Sequence, residues 1–269
     1  MKRWEIFILL ICCLVLSCER KNTTDPKDNV IEWSEHFLSI DVNSNNLVLI
    51  SANDDSAYAS VIGPIGCHLA DPDLTWLNDN LYVLNTKEAG GTELLMLNPE
   101  TGVIIDSIEV THDGAPVMRA EALCEVGGAL RIGASLNGFD SSSESLGKLS
   151  VNGVISEVVS YAPMDFDGMD AFSVDTVLAI DVNPSVHTTY LTVSIDDSLV
   201  NILFNCAPAE YRTNDIALIG DRAYGVRMEL IVADLIEGTC WSVPIEPRAT
   251  YSGLVRAECP RGDGESRMW

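Results

Sequence analysis

A strand–turn–strand unit recurs four times along this 269-residue chain, and no other feature limits its fold as strongly. The copies read TWLNDNLYVLN from Thr75, LCEVGGALRIGAS from Leu123, AFSVDTVLAID from Ala171 and ALIGDRAYGVR from Ala217. Leu81, Ala129, Val177 and Ala223 occupy matching places, spaced by 48, 48 and 46 residues. A second hairpin-like segment follows each copy: LLMLNPETGVIIDSI, GKLSVNGVISEVVSY, YLTVSIDDSLVNILF and LIVADLIEGTCWSVPI.

Within each copy apolar and polar residues alternate, as in Ala129-Leu130-Arg131-Ile132, which is the period of a strand with a buried face. The turns are rich in Asn, Asp and Gly, residues that tolerate the left-handed backbone of tight hairpins. No long i, i+3, i+4, i+7 stripe follows the first 17 residues, so helices should be minor. One four-stranded sheet cannot bury both of its faces, so successive units must pack on each other. The expected fold is all-β, a β-propeller of about four to five four-stranded blades. Residues 37–66 could supply a shortened first unit, and Thr250-Tyr251-Ser252-Gly253-Leu254-Val255 looks like the opening strand of another. Either N-terminal strands close the ring, or the chain is an incomplete version of a larger propeller. The second alternative is preferred, with poor order expected after residue 256.

Lys2 and Arg3 precede an apolar run from Ile6 to Leu16, followed at once by Ser17-Cys18. This charged start and short apolar run read as a secretory signal over residues 1–17, too short for a stable membrane anchor. Val15-Leu16-Ser17-Cys18 resembles a bacterial lipobox. The resemblance implies that Cys18 is lipidated and fatty-acylated, giving a durable membrane attachment. Glu19 follows where the enterobacterial inner-membrane sorting signal would have Asp, so the outer membrane is the expected address. Residues 18–32 read as a flexible tether, 33–256 as the repeats and 257–269 as an irregular tail.

The formal charge is −24, and loss of residues 1–17 makes it one unit more negative. Nucleic acid and anionic lipid headgroups are therefore unfavourable partners, whereas cations are compatible ones. Five cysteines follow Cys18, namely Cys67, Cys124, Cys206, Cys240 and Cys259, so at least one cannot pair within the chain. Cys206 and Cys240 lie near the second hairpins of successive repeats. Export permits a disulfide between them, while a buried free thiol is the competing expectation.

Catalytic motifs are absent: there is no G-x-S-x-G, P-loop, G-x-G-x-x-G or H-E-x-x-H, and the four histidines are dispersed. One constellation stands out. Eight residues before each matching place lie Asp73, Glu121, Met169 and Asp215, with Asp170 next to Met169 and Asn214 next to Asp215. Inner strands of a propeller line its channel, so Asp73, Glu121, Asp170, Asn214 and Asp215 are a candidate site for Ca²⁺ at the channel mouth. The same carboxylates could polarise a water molecule for hydrolysis. Asp165-Phe166-Asp167-Gly168-Met169-Asp170 superficially resembles a calcium loop but lacks the spacing and the closing Glu of an EF-hand.

The stretch Arg212-Thr213-Asn214-Asp215-Ile216-Ala217-Leu218-Ile219-Gly220-Asp221-Arg222-Ala223-Tyr224 resembles the blade opening of YVTN-type bacterial propellers. The segment Leu95 to Ile108 resembles their closing hairpin. Asn214 and Asp215 are also similar to the Asn-Asp pair of gluconolactonase and regucalcin-like propellers, a resemblance that implies divalent-cation binding. The glutamate those proteins carry near the first blade has no counterpart here. Two functions are therefore expected. One is a lipid-anchored envelope module that binds or scaffolds a protein or small ligand; the other is a divalent-cation-dependent hydrolase or lactonase.

Overall fold

The computed structural model describes residues 33–70, 72–87, 90–136, 144–161, 165–183, 187–207, 213–260 and 266–268. Cys18 and the signal and tether expected over residues 1–32 lie outside them. Among the described residues there are strands and turns but no helix. In chain order the first strands are β1 (Glu35–Asp41), β2 (Asn46–Ala52) and β3 (Ala57–Pro64). Next come β4 (Pro72–Leu77), β5 (Asn80–Thr86), β6 (Thr92–Leu97) and β7 (Ile104–Glu109), then a small hairpin of β8 (Thr111–His112) and β9 (Ala115–Pro116). The third group is β10 (Ala120–Val126), β11 (Ala129–Ala134), β12 (Ser145–Leu149) and β13 (Val154–Ser160). The fourth is β14 (Gly168–Ser173), β15 (Thr176–Asn183), β16 (His187–Ser194) and β17 (Val200–Cys206). The last is β18 (Ile216–Ile219), β19 (Arg222–Val226), β20 (Glu229–Asp234) and β21 (Thr239–Glu246), followed by β22 (Tyr251–Arg256), β23 (Glu258–Pro260) and β24 (Ser266–Met268).

These strands form a five-bladed propeller. Blades two to five are antiparallel sheets whose first strands are β4, β10, β14 and β18. The first blade is assembled from both ends of the chain, because β22 pairs with β1 ahead of β2 and β3. The innermost strands contact one another in a cycle, β4 to β10 to β14 to β18 to β22 and back to β4. The expectation of an incomplete propeller is thereby corrected: residues 251–256 supply the strand that closes the ring. Where the sequence reads as an irregular tail from residue 257, β23 and β24 pair as a short antiparallel ribbon.

Period-two alternation explains the packing. Consecutive residues of a strand point to opposite faces, and here each face meets a different blade. Phe37 packs with Tyr224 and Val232 of blade five, while its neighbour Leu38 packs with Leu74 and Leu81 of blade two. In blade four, Val177 and Ala179 face blade three, and Leu178 and Ile180 face blade five. Burial falls from the inside outwards. Every residue of β4 is buried, whereas the outermost β7 exposes Ile105, Asp106, Ser107 and Glu109.

Local chemistry sets the hairpins. Asn78 and Asp79 take φ values of 50° and 63°, and Gly127 and Gly128 take 63° and 80°, as a two-residue turn of the primed type demands. Across the rim of blades four and five, Cys206 is joined to Cys240, so the disulfide alternative is the one found. Among the described side chains Cys124 is a buried free thiol and Cys67 a partly buried one.

Ring closure turns on Gly253. The register between β1 and β22 shifts at Ser39 and Ile40, where Gly253 is the extra residue, at φ 69°. A Cβ there would collide with the Leu74 side chain of the next blade. Gly253→Ala should therefore cost about 2–4 kcal/mol, read as a lowered denaturant midpoint. Deleting residues 251–269 should leave no cooperative unfolding transition in calorimetry. The Cys206→Ala, Cys240→Ala double variant should unfold about 2–4 kcal/mol more easily, with the difference abolished when the wild-type chain is reduced.

Candidate functional site

The inner strands run alike around the ring, so the connections from blade to blade enter them on one face. Two groups of carboxylates gather at this end. The first belongs to the inner strands themselves. Asp73 Oδ1 accepts the N–H of Leu74 at 2.7 Å, and its Oδ2 accepts the N–H of Leu123, in blade three, at 2.5 Å. Asp170 Oδ1 accepts from Ala171 at 2.7 Å, and Oδ2 from Leu218, in blade five, at 2.6 Å. Asp215 Oδ1 accepts from Ile216 at 2.6 Å, and Oδ2 from Leu254, in β22, at 2.5 Å. Each carboxylate thus ties its own blade to the next. Between blades one and two, the Ser252 hydroxyl does similar work, donating to the Pro72 carbonyl at 3.0 Å.

Asp73 and Asp215 lie close enough that each carboxyl influences the protonation of the other. Burial raises the Asp73 carboxyl to about 7, against the Asp215 side chain and the hydrogen bonds from Leu123 and Leu74 that lower it. Burial, and then the charge of Asp73, push Asp215 well above the ordinary carboxylate range. Asp170 is half-buried, and desolvation raises it to about 6. Asn214 is half-buried beside Asp215, its backbone N–H donating to the Val226 carbonyl.

Glu121 is not in this set. Counting back from the hairpin, Asp73 pairs with Leu84 where Ala122 pairs with Gly133, so Ala122 is the register mate of Asp73 in blade three. The β10–β11 register shifts between Ala120 and Ala122, which makes Glu121 the extra residue of a bulge. A bulge re-aims its side chain, and a one-residue offset changes the face it points to. In blade four the same register place falls on Gly168, where a Cβ would crowd the Asp215 backbone. Asp170 stands two steps nearer the hairpin, next to another register shift. The five residues expected to form one ring therefore separate into Asp73, Asp170 and Asp215 at the blade junctions, Asn214 alongside, and Glu121 elsewhere.

Glu121 belongs to the second group. One oxygen each of Glu121, Asp165 and Asp167 lie within 4.8 Å of one another. Asp165 and Asp167 sit in the connection entering β14, anchored by the fully buried ring of Phe166. The Phe166 N–H donates to Glu144 Oε2 at 2.7 Å, and Asp167 Oδ2 accepts the N–H of Val182 at 2.6 Å. Arg119 Nε donates to Glu121 Oε1 at 2.6 Å. Burial raises Glu144 to about 9 and Asp167 to about 8, each raised further by neighbouring carboxylates. Asp165 is raised by burial against the pull of the Arg119 charge and a hydrogen bond with Glu121. Sequence reasoning noticed the Asp165–Asp167 segment but had no means of bringing it to Glu121 or Glu144. Chemically, such a cluster holds either protons or a hard cation.

No protein-family profile matches the chain. No curated protein matches it. Among solved structures it is similar to TolB from Acinetobacter baumannii, at 11% identity over 83% of this chain and 67% of that one, with a TM-score of 0.42. It is similar to the Dos1 propeller, at 16% identity over 74% of this chain and 55% of that one, with a TM-score of 0.39. A third likeness is to an α-L-arabinofuranosidase from Clostridium thermocellum, at 10% identity over 74% of this chain and 83% of that one, with a TM-score of 0.48.

The junction carboxylates set a pH dependence. Asp73, Asp170 and Asp215 all have folded pKa values above the unfolded one, so the folded state holds more protons. Their contribution is fully present below about pH 4 and is lost as pH rises through about 6 for Asp170 and about 7 for Asp73. The melting temperature should therefore fall by several degrees between pH 5 and pH 8, and by less in Asp170→Asn, as followed by circular dichroism.

Proposed function

We propose that this chain is a binding module, held at the bacterial outer membrane by lipid on Cys18, that offers one face of its propeller to an envelope protein or a small ligand. The observation that carries the binding reading is the use made of the channel carboxylates. Both oxygens of Asp73, Asp170 and Asp215 are engaged by backbone N–H groups of two blades. Acids committed in this way serve to fix a rigid frame and are poorly placed to attack or protonate a substrate. The charge of −24 favours a cationic partner and disfavours nucleic acid. The Cys206–Cys240 bond supports an oxidising compartment, in keeping with export. The resemblance of the blade opening at Asn214 and Asp215 to YVTN-type propellers agrees with this reading.

A second reading, a cation-dependent hydrolase or lactonase, is favoured by one observation, the proximity of Glu121, Asp165 and Asp167. Lactone hydrolysis by the purified chain, with and without Ca²⁺, separates the two. The binding reading expects no turnover, and Ca²⁺-dependent turnover abolished by Glu121→Gln would replace it. For the anchor, wild-type chain expressed in a bacterial host should take up labelled palmitate and sediment with outer membranes. Cys18→Ala should abolish the label and move the protein to the soluble fraction. An unlabelled wild-type chain would remove the anchor from the proposal.

A further inference from the structure

The structure assigns a Ca²⁺ site to Glu121, Asp165 and Asp167, with Glu144 beneath them, that fastens blade three to blade four. Three lines of geometry meet here. Ligand oxygens lie about 2.3–2.6 Å from Ca²⁺, so two on opposite sides of one ion are about 4.8 Å apart. The oxygens of Glu121, Asp165 and Asp167 fall within that limit as they stand.

Glu144 supplies an independent indication. Its residue is only 1% exposed, and its Oε1 is buried with no hydrogen-bond partner among the described residues. Its other oxygen holds the N–H of Phe166, between Asp165 and Asp167, so the carboxylate sits directly under the turn that carries two of the ligands. A polar oxygen buried without a partner in this way is costly unless a ligand meets it. The donors are all carboxylate oxygens, with no His or Cys among them, which selects a hard ion. The oxygens are spread over as much as 4.8 Å, a span that suits the longer Ca–O distances better than the roughly 2.0–2.1 Å of Mg²⁺.

The position in the ring gives the site a task. Asp73, Asp170, Asp215 and Ser252 tie four of the five blade junctions. At the remaining junction, between blades three and four, the register mate of Asp73 is Ala122, which has no group to offer. Glu121 projects from the bulge on β10 of blade three, and Asp165 and Asp167 lie in the connection leading into β14 of blade four. A cation shared by them adds a link at the inner strand of blade three, where Ala122 offers none, beside the bond that Glu144 makes to the Phe166 N–H. This inference depends neither on the lipid anchor nor on the binding reading.

Isothermal titration of the full chain with CaCl₂, after removal of metal by chelation, tests the assignment. One Ca²⁺ per chain is expected, and saturation should raise the melting temperature by about 5 °C or more. MgCl₂ should bind at least about tenfold more weakly, because Mg²⁺ requires shorter ligand distances and dehydrates reluctantly. Glu121→Gln combined with Asp165→Asn should weaken Ca²⁺ binding at least tenfold, whereas Asp170→Asn should leave it within about twofold, since Asp170 is outside the ligand group. Should the double variant fail to fold, Asp165→Asn alone carries the same comparison. Absence of binding heat together with an unchanged melting temperature at millimolar CaCl₂ would overturn the site, as would equal loss in Asp170→Asn.

Discussion

Everything in this molecule depends on the pairing of β1 with β22. Each blade is apolar on both faces, so each needs a neighbour on either side, and only a closed ring gives every blade two. A chain that simply laid down blades in order would end with two bare sheet faces. Here the first three strands are left without an inner strand until residues 251–256 return to provide it. Closure is thus a contact between the ends of the folded domain, more than 200 residues apart. It is reinforced across the ring, where Trp76 Nε1 donates to the Arg256 carbonyl at 2.7 Å and Ser252 reaches Pro72.

The centre of the ring is a different physical problem from its blade interfaces. Inner strands converge there, and at the closest approaches even a Cβ is excluded, at Gly168 by the Asp215 backbone and at Gly253 by the Leu74 side chain. Aspartate is short enough to fit and can accept one N–H from its own strand and another from the next. The cost of burying the carboxyl is offset by these bonds, and by protons retained where two acids meet, as at Asp73 and Asp215. The same residues that look like a metal ring in one dimension are, in three, a set of stitches between strands.

The blade pattern was legible because it is local. Alternation, the spacing of Leu81, Ala129, Val177 and Ala223, and turn residues such as Asn78-Asp79 and Gly127-Gly128 all concern neighbours in sequence. Closure was not, because nothing within Tyr251–Arg256 says that its partner lies at Glu35–Asp41. The carboxylates were half legible. Asp73 and Asp215 are true register mates. Glu121 and Met169 were aligned with them by counting, and counting fails at a bulge. Glu144, Asp165 and Asp167 escaped the alignment altogether, since their proximity is made by packing of blade three on blade four.

The bulge at Glu121 shows how a repeat acquires a distinct site without losing its frame. Inserting one residue in β10 keeps Leu123 in place to donate its N–H to Asp73, so the tie from blade two is preserved. The inserted residue, released from the ladder, turns its carboxylate away from the stitch position and towards Arg119 and the Asp165–Asp167 turn. Ala122 then occupies the place where a stitch to blade four would stand, and the direct bonds that cross to blade four are made elsewhere, from the Phe166 N–H to Glu144 and from the Tyr161 hydroxyl to the Ser194 carbonyl. One extra residue thereby converts a repeating structural acid into a member of a singular group. Functional asymmetry in a pseudo-symmetric ring is most readily found at such breaks in register, where the repeat is least regular.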